Sequence, residues 1–155
     1  MCIRDRPYRS MKDSKLVDFM HSIEAMNREG YRFDYILQCD TDYAPCFTVA
    51  RQRVVSHYPC CEQTRIIVPK TEIESWYLAG LTRSSCVLLG IPHVGVTDGL
   101  AKEDFNCLIP KRFESRIDFM AEVLRRYDTQ EAKLNNSSFS YFVTRFLPRV
   151  LRGAT

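Results

Sequence analysis

The first apolar run of the chain, residues 33–39, is followed by two carboxylates, Asp40 and Asp42. Residues two apart on a strand lie on the same face, so we expect both carboxylates at the carboxyl edge of a sheet, where open α/β sheets bind ligands. Two ionised carboxylates roughly 6 Å apart repel by about 3 kcal/mol at an effective dielectric near 20. The pair therefore predicts a divalent-cation site, and the alternative is that Asp42 caps the helix expected to begin near Pro45.

Two more carboxylates, Glu72 and Glu74, follow the second apolar run, residues 65–69. If the two runs form neighbouring parallel strands, their carboxyl ends deliver these side chains to the same crevice as the aspartates. Three or four converging carboxylates suit Mg²⁺ or Mn²⁺, which prefer oxygen ligands. The alternative is a capping box, in which Glu74 reaches back to the backbone N–H of Thr71.

Basic and aromatic residues supply candidates for nucleic-acid contacts. Trp76 is positioned to stack on a base, but its spacing from Ile73 favours the core. Phe139, Phe142 and Phe146 form a helical stripe that fits the core or a partner-helix face. Five basic residues are candidates for phosphate contacts, although a solvated surface is the more common role of any one of them: Lys70, Lys102, Lys111, Arg112 and Arg116.

Composition narrows the class of protein. A chain of 155 residues that is 45% hydrophobic is long enough for one domain with a core and too short for two ordinary ones. The net charge of +3 is mild for a dedicated nucleic-acid binder. Seven scattered cysteines without a C-x-x-C pair are typical of a reduced intracellular protein. No apolar stretch approaches membrane-spanning length, so we expect a cytoplasmic protein without a membrane partner.

The order of elements predicts an α/β domain with a mostly parallel central sheet flanked by helices. Helices alternate with the two apolar runs as far as the helix beginning at Thr71, which favours parallel strands joined by right-handed crossovers. Beyond Gly80 the pattern is helical and irregular, with Ser115 as a cap. The helices are predicted over residues 14–27, 45–58, 71–81, 84–89, 102–108, 115–127 and 138–150.

The first twelve residues are not expected to belong to the domain. Residues 1–6 look like a translated sequencing-adapter tag, and residues 7–12 contain no apolar run. We therefore interpret residues 1–12 as an artefactual or disordered leader and residues 13–155 as a single domain.

Three stretches resemble the Toprim domain of topoisomerases, primases and OLD-type nucleases, and more closely the Toprim-like family catalogued as domain of unknown function 4276. Residues 35–42 (YILQCDTD) resemble its D-x-D strand, and residues 72–79 (EIESWYLA) resemble its E-x-W-x-L segment. Phe139 lies in what looks like its C-terminal S-F motif. The likeness spans residues 14–147 and implies a Rossmann-like Toprim fold.

The resemblance implies that Asp40, Asp42 and Glu74 are catalytic and hold Mg²⁺ or Mn²⁺, with Glu72 beside them. The chemistry would be phosphodiester cleavage or transfer on nucleic acid, in a phage-defence setting with an ATPase or another defence-system partner. Toprim domains normally open with a strand that ends in a glutamate, and no such strand precedes the first helix here. We therefore expect a fragment that lacks its first strand and is weak or inactive as a catalyst by itself.

Two other functions compete with this interpretation. In the first, the chain is a non-catalytic interaction subunit of a defence or mobile-element system, its carboxylates cap helices, and its aromatic C-terminal helix docks a partner. In the second, it is a phosphate-binding regulatory domain. The second would require a glycine-rich loop, and none of the six glycines clusters as G-x-G-x-x-G.

Overall fold

The computed structural model describes residues 13–31, 33, 35–40, 44 and 46–148, and the predicted leader and Asp42 lie outside them. The described chain is mainly helical. Its elements are α1 (Asp13–Arg28), β1 (Leu37–Gln38), α2 (Phe47–His57), a 3₁₀ turn (Gln63–Arg65), β2 (Ile66–Ile67), α3 (Glu74–Ala79), α4 (Arg83–Leu89), α5 (Lys102–Cys107), α6 (Arg116–Arg125), α7 (Thr129–Asn135), α8 (Ser137–Tyr141) and a π-helical turn (Phe142–Phe146).

The two strands form a parallel pair that is connected through α2. Leu37 is opposite Ile66, and Gln38 is opposite Ile67. One further bond extends the pairing, since the backbone N–H of Cys39 donates to the Ile67 carbonyl at 3.1 Å. The chain therefore leaves both strands at the same edge, with Asp40 following β1 and Lys70 following β2.

The predicted Rossmann-like Toprim fold with a mostly parallel central sheet is wrong. In the described residues the sheet has two strands of two residues each, and every regular element after β2 is helical. Residues 66–69 of the second apolar run are buried, as its β-branched residues predict. Only Ile66 and Ile67 form a strand, and within the described chain they pair with β1 alone. Helices α3 to α8 pack mainly on one another and build no further layers on a sheet.

Most of the predicted helices are confirmed with shifted ends. Helices α1, α4, α5 and α6 match residues 14–27, 84–89, 102–108 and 115–127 closely. Ser115 caps α6 as predicted, because its side chain accepts a bond from the Asp118 N–H. Helix α7 was not predicted; the Asp128 side chain caps it by accepting from the N–H groups of Gln130 and Glu131.

Three apolar clusters hold the helices together. The first joins α1 and α2 to β2 around Met20, Val54 and Ile66. The second joins α3 to α6 around Phe105 and Phe119, and the third surrounds Trp76. Ile66 lies in the first cluster and Ile67 in the third, as expected for neighbouring strand residues that point to opposite faces. The short strand β2 therefore links two parts of the core.

The core position of Trp76 is confirmed. The side chain is buried, and its ring centroid lies 5.3 Å from those of Phe139 and Phe142. Phe146 belongs to the same cluster, so the aromatic stripe of the last helix is core. Close packing continues at Gly80, where an added Cβ atom would clash with the Tyr127 ring.

All six cysteines of the described chain are free thiols. None of its helices combines the length and the apolar character that crossing a bilayer requires.

Candidate functional site

The segment that leaves β2 is held by Asp98, which lies on the loop between α4 and α5. The Lys70 ammonium lies 3.0 Å from the Asp98 carboxylate, and the Thr71 hydroxyl donates to the Asp98 carbonyl at 2.7 Å. The same carboxylate accepts bonds from the N–H and the hydroxyl of Ser137 at 2.8 and 2.7 Å. Asp98 therefore ties the carboxyl end of β2 to the start of α8.

The Asp98 carboxyl is held in its ionised form. Burial by itself would raise its pKa, but the hydrogen bonds from Ser137 and Lys70 and the Lys70 charge outweigh burial and lower the pKa. A carboxylate whose pKa is lower in the folded than in the unfolded state stabilises the fold above the unfolded-state pKa, and this contribution is lost as the pH falls through the folded-state pKa.

We predict that Asp98→Asn lowers the free energy of unfolding by about 2 kcal/mol at neutral pH, because it removes a charged acceptor from several bonds. The difference from wild type should shrink below about pH 4, where the wild-type carboxyl also becomes neutral. Urea unfolding followed across the acid range measures both effects. Asp18→Asn, on the exposed face of α1, is the matched control; a pH-independent loss in Asp98→Asn would contradict the assignment.

Glu74 forms an ion pair that joins two helices. It is the first residue of α3, and its carboxylate accepts a bond from the guanidinium of Arg116, the first residue of α6. Both side chains are largely buried, at 10% and 19% exposure. The guanidinium also lies 5.7 Å from the centroid of the Phe105 ring. Glu74 therefore already has a strong cationic partner inside the protein.

Glu72 is also bonded internally, because one of its carboxylate oxygens accepts from the backbone N–H of Lys102 at the start of α5. The alternative capping box at α3 is wrong. Ile73 occupies the N-cap position without a side-chain bond, and the Thr71 hydroxyl donates to Asp98 instead. The two glutamates anchor α5 and α6 to the segment that follows β2.

A buried polar network lies under this segment and was not predicted from the sequence. At its centre is Asn136, which is 1% exposed. Its amide nitrogen donates to the hydroxyls of Ser75 and Thr97 at 3.2 and 3.1 Å. Its carbonyl oxygen accepts from the Ser138 hydroxyl at 2.7 Å and from the Phe139 N–H at 3.0 Å. An asparagine just before a helix indicates a cap, but the other partners are distant in sequence.

Ser138 extends the network to the segment after β2. Its hydroxyl oxygen accepts from the Trp76 indole N–H at 2.8 Å and from the Lys70 backbone N–H at 3.1 Å. The stretch that carries the S-F resemblance thus holds the end of β2 in place. A positioning role is what these contacts support for residues 136–139.

The three predicted carboxylates that the structure describes each have a separate hydrogen-bond partner. Asp40 is exposed just beyond β1, where its carboxylate accepts from the Gln38 amide at 3.2 Å, and Asp42 lies outside the described residues. Glu72 and Glu74 follow β2 but are bonded to α5 and α6. In the part of the chain that the structure describes, no three His, Cys, Asp or Glu residues are grouped so as to hold a metal ion.

The predicted basic residues divide into two sets. Lys70 and Arg116 are paired with Asp98 and Glu74. Lys111 and Arg112 are exposed on the connection between α5 and α6, and Lys102 is half-buried at the start of α5. The Arg112 guanidinium donates to the Leu88 carbonyl at 2.9 Å and lies 5.0 Å from the Phe113 ring centroid.

Comparison with known proteins identifies no relative: no protein-family model, curated protein or solved structure matches the chain.

Proposed function

We propose that the edge beyond β1 and β2 binds the phosphate groups of nucleic acid, in a protein that carries out Mg²⁺-dependent phosphodiester cleavage or transfer. The parallel register of the two strands supports this most directly, because it directs the chain after each strand to one edge. Asp40 follows one strand, and Lys70, Glu72 and Glu74 follow the other. Carboxyl edges of parallel strands are common ligand sites.

The metal component of this proposal has less support than the phosphate component. Mg²⁺ needs carboxylate oxygens with available lone pairs, whereas Glu74 is engaged with Arg116 and Glu72 with the Lys102 N–H. A guanidinium beside a carboxylate also repels a divalent cation. Glu72 and Glu74 therefore do not fit a metal centre in this arrangement, and we assign no catalytic step to an ion. The ligand roles of Asp40, Asp42 and Glu74 are proposals to be tested by titration.

Binding to nucleic acid is tested by fluorescence anisotropy with labelled DNA and RNA over a range of salt concentrations. Lys111 and Arg112 are exposed, so replacing both with glutamine should leave the fold intact. We expect the double variant to bind more weakly and the slope of log Kd against log salt to fall by about one per lost phosphate contact. Lys15→Gln, at an exposed position on α1, is the control. Equal affinity of wild type and double variant would contradict the assignment of these two residues.

The second candidate is a non-catalytic interaction subunit. The internal bonds of Glu72 and Glu74 favour it, since these carboxylates hold helices together in the structure. Mn²⁺ titration calorimetry distinguishes the candidates. Saturable binding that is weakened by Asp40→Asn supports the metal-dependent function, whereas the absence of binding to the wild-type chain supports the interaction subunit.

A further inference from the structure

A cleft of about 160 Å³ lies between α2, the 3₁₀ turn before β2 and the C-terminal π-helical turn. It is at the amino end of β2, whereas the candidate site described above follows the carboxyl end. Six residues line it: Arg51, Gln63, Thr64, Tyr141, Arg145 and Phe146. The lining contains two arginines and no acidic residue.

The two arginines give the cleft a positive charge that no acidic residue of the described chain neutralises by an ion pair. Neither Arg51 nor Arg145 forms an ion pair within the described part of the chain, and the Arg51 Nε atom is buried there without a hydrogen-bond partner. The neighbouring carboxylate Glu62 is 3.1 Å from Arg65, with which it is paired. Two guanidinium groups at one small cleft repel each other, and an anion bound between them removes this cost.

Uncharged polar side chains and two aromatic rings complete the lining of the cleft. The side chains of Gln63 and Tyr141 supply an amide and a hydroxyl that can donate to an oxyanion, whereas the Thr64 hydroxyl donates to the Glu62 carboxylate at 3.5 Å. The Arg51 guanidinium lies 5.7 Å from the centroid of the Tyr141 ring, and this contact restricts its orientation. Buried Phe146 closes one side. The donors are thus carried by three separate segments of the chain.

The backbone at Arg145 is unusual in a way that is common at binding sites. Residues Phe142–Phe146 form a π-helical turn, and such turns occur frequently at functional sites. Two local causes are visible. The Thr144 hydroxyl donates to the Ser140 carbonyl at 2.7 Å, and Pro148 has no N–H to donate to the preceding turn.

The volume and the charge of the cleft limit the size and the charge of the ligand that it can bind. A volume of about 160 Å³ is several times the roughly 30 Å³ of a water molecule and well below that of a typical drug-sized site. It can hold one tetrahedral oxyanion with part of its carrier. Two guanidinium charges match a dianion better than a carboxylate, and guanidinium forks suit phosphate oxygens.

We propose that this cleft binds a terminal phosphate monoester, carried either by a mononucleotide or by the 5′ end of a nucleic-acid strand. The proposal is independent of the function proposed for the edge beyond β1 and β2, because it uses none of the same residues. A phosphate at this site would be bonded by Arg51 and Arg145 together.

The experiment compares a short fluorescent oligothymidylate with and without a 5′-phosphate, using AMP and inorganic phosphate as competitors. We expect the 5′-phosphate to strengthen binding, and Arg51→Gln with Arg145→Gln to weaken binding of the phosphorylated strand by about tenfold or more. Arg83→Gln, at an exposed position on α4, removes one positive charge, as Arg145→Gln alone does, and should leave this affinity unchanged. Circular dichroism checks folding, and exposed Arg145→Gln alone provides the test if the double variant does not fold.

Titration calorimetry with AMP distinguishes the two carriers. Binding of AMP that is lost in Arg51→Gln with Arg145→Gln, without any effect of the 5′-phosphate on strand binding, assigns the cleft to mononucleotides, whereas a strong effect of the 5′-phosphate assigns it to strand ends. The proposal is overturned if neither the 5′-phosphate, AMP nor inorganic phosphate has an effect. It is equally overturned if Arg83→Gln weakens binding as much as the cleft variants do.

Discussion

Replacing Arg116 with methionine is expected to lower the free energy of unfolding by about 3 to 5 kcal/mol, among the largest effects of a single substitution in this chain. The substitution retains most of the aliphatic packing against Phe105 but removes the guanidinium. Glu74 would then be a buried carboxylate at 10% exposure without its cationic partner. Leaving one charge of a buried pair uncompensated costs far more than the pair contributes as a whole.

A double-mutant cycle separates these two quantities. Glu74→Gln combined with Arg116→Met removes both charges, so the double variant should be clearly more stable than Arg116→Met alone. Denaturant unfolding of the four proteins measures the coupling. Arg125→Met is the matched control, because Arg125 is 72% exposed and pairs with Glu122 on the same helix; its loss should stay below about 1 kcal/mol. Equal losses in Arg116→Met and Arg125→Met would contradict the prediction.

The same variant tests the metal proposal from another direction. Arg116→Met frees the Glu74 carboxylate, so a cation that uses this oxygen should raise the melting temperature of the variant more than that of the wild type. If Mg²⁺ and Mn²⁺ shift neither protein, Glu74 is a structural residue and the interaction-subunit function gains support. The ion pair is thus informative whichever function is correct.

The helices could be predicted from the sequence better than the sheet. Apolar periodicity and caps such as Ser115 act within a few residues, so α4, α5 and α6 were predicted nearly at their observed ends. The apolar run at residues 65–69 indicated a buried parallel strand, and Ile66–Ile67 form one. Periodicity carries no information about how many neighbours a strand has. The sheet was therefore predicted to be far larger than the observed pair of short strands.

In the candidate site, too, the features that depend on neighbouring residues were predicted and those that depend on distant residues were not. Local pattern is limited to sequence order: Glu72 and Glu74 follow the second strand, and their predicted convergence with Asp40 stays a prediction. It did not reveal that Arg116, which is 42 residues further along, pairs with Glu74. Partners at such separations are fixed by how α3 and α6 pack, which composition and spacing do not encode. The two-arginine cleft was missed for the same reason, because its residues lie on three separate segments.

Replacing Asn136 with alanine is expected to lower the free energy of unfolding by about 3 kcal/mol, because it disconnects the buried network. The loss should be concentrated on two groups. The hydroxyls of Ser75 and Thr97 keep other acceptors, the carbonyls of Glu72 and Asn135. The Ser138 hydroxyl and the Phe139 N–H lose the oxygen that accepts from both of them. Buried donors without an acceptor are the expensive outcome.

Asn136→Ser separates capping from the rest of the network. Serine at the N-cap can still accept from the Phe139 N–H, so this variant should recover part of the lost stability. Asn106→Ala, at an exposed position on α5, is the control and should change stability by no more than about 0.5 kcal/mol. If Asn136→Ala behaves like this control, the bonds of Asn136 do not contribute to stability.

The fluorescence emission of the single tryptophan, Trp76, shows which part of the structure a substitution disturbs. The Trp76 indole N–H donates to Ser138, whose hydroxyl loses its own acceptor in Asn136→Ala. We expect that variant to show red-shifted Trp76 emission before global unfolding, since a loosened Ser138 admits water to the cluster around the indole. Arg116→Met acts at the contact between α3 and α6, so its folded state should keep the wild-type emission. Two variants of similar stability would then differ in this spectrum, which distinguishes loss of the network from general destabilisation.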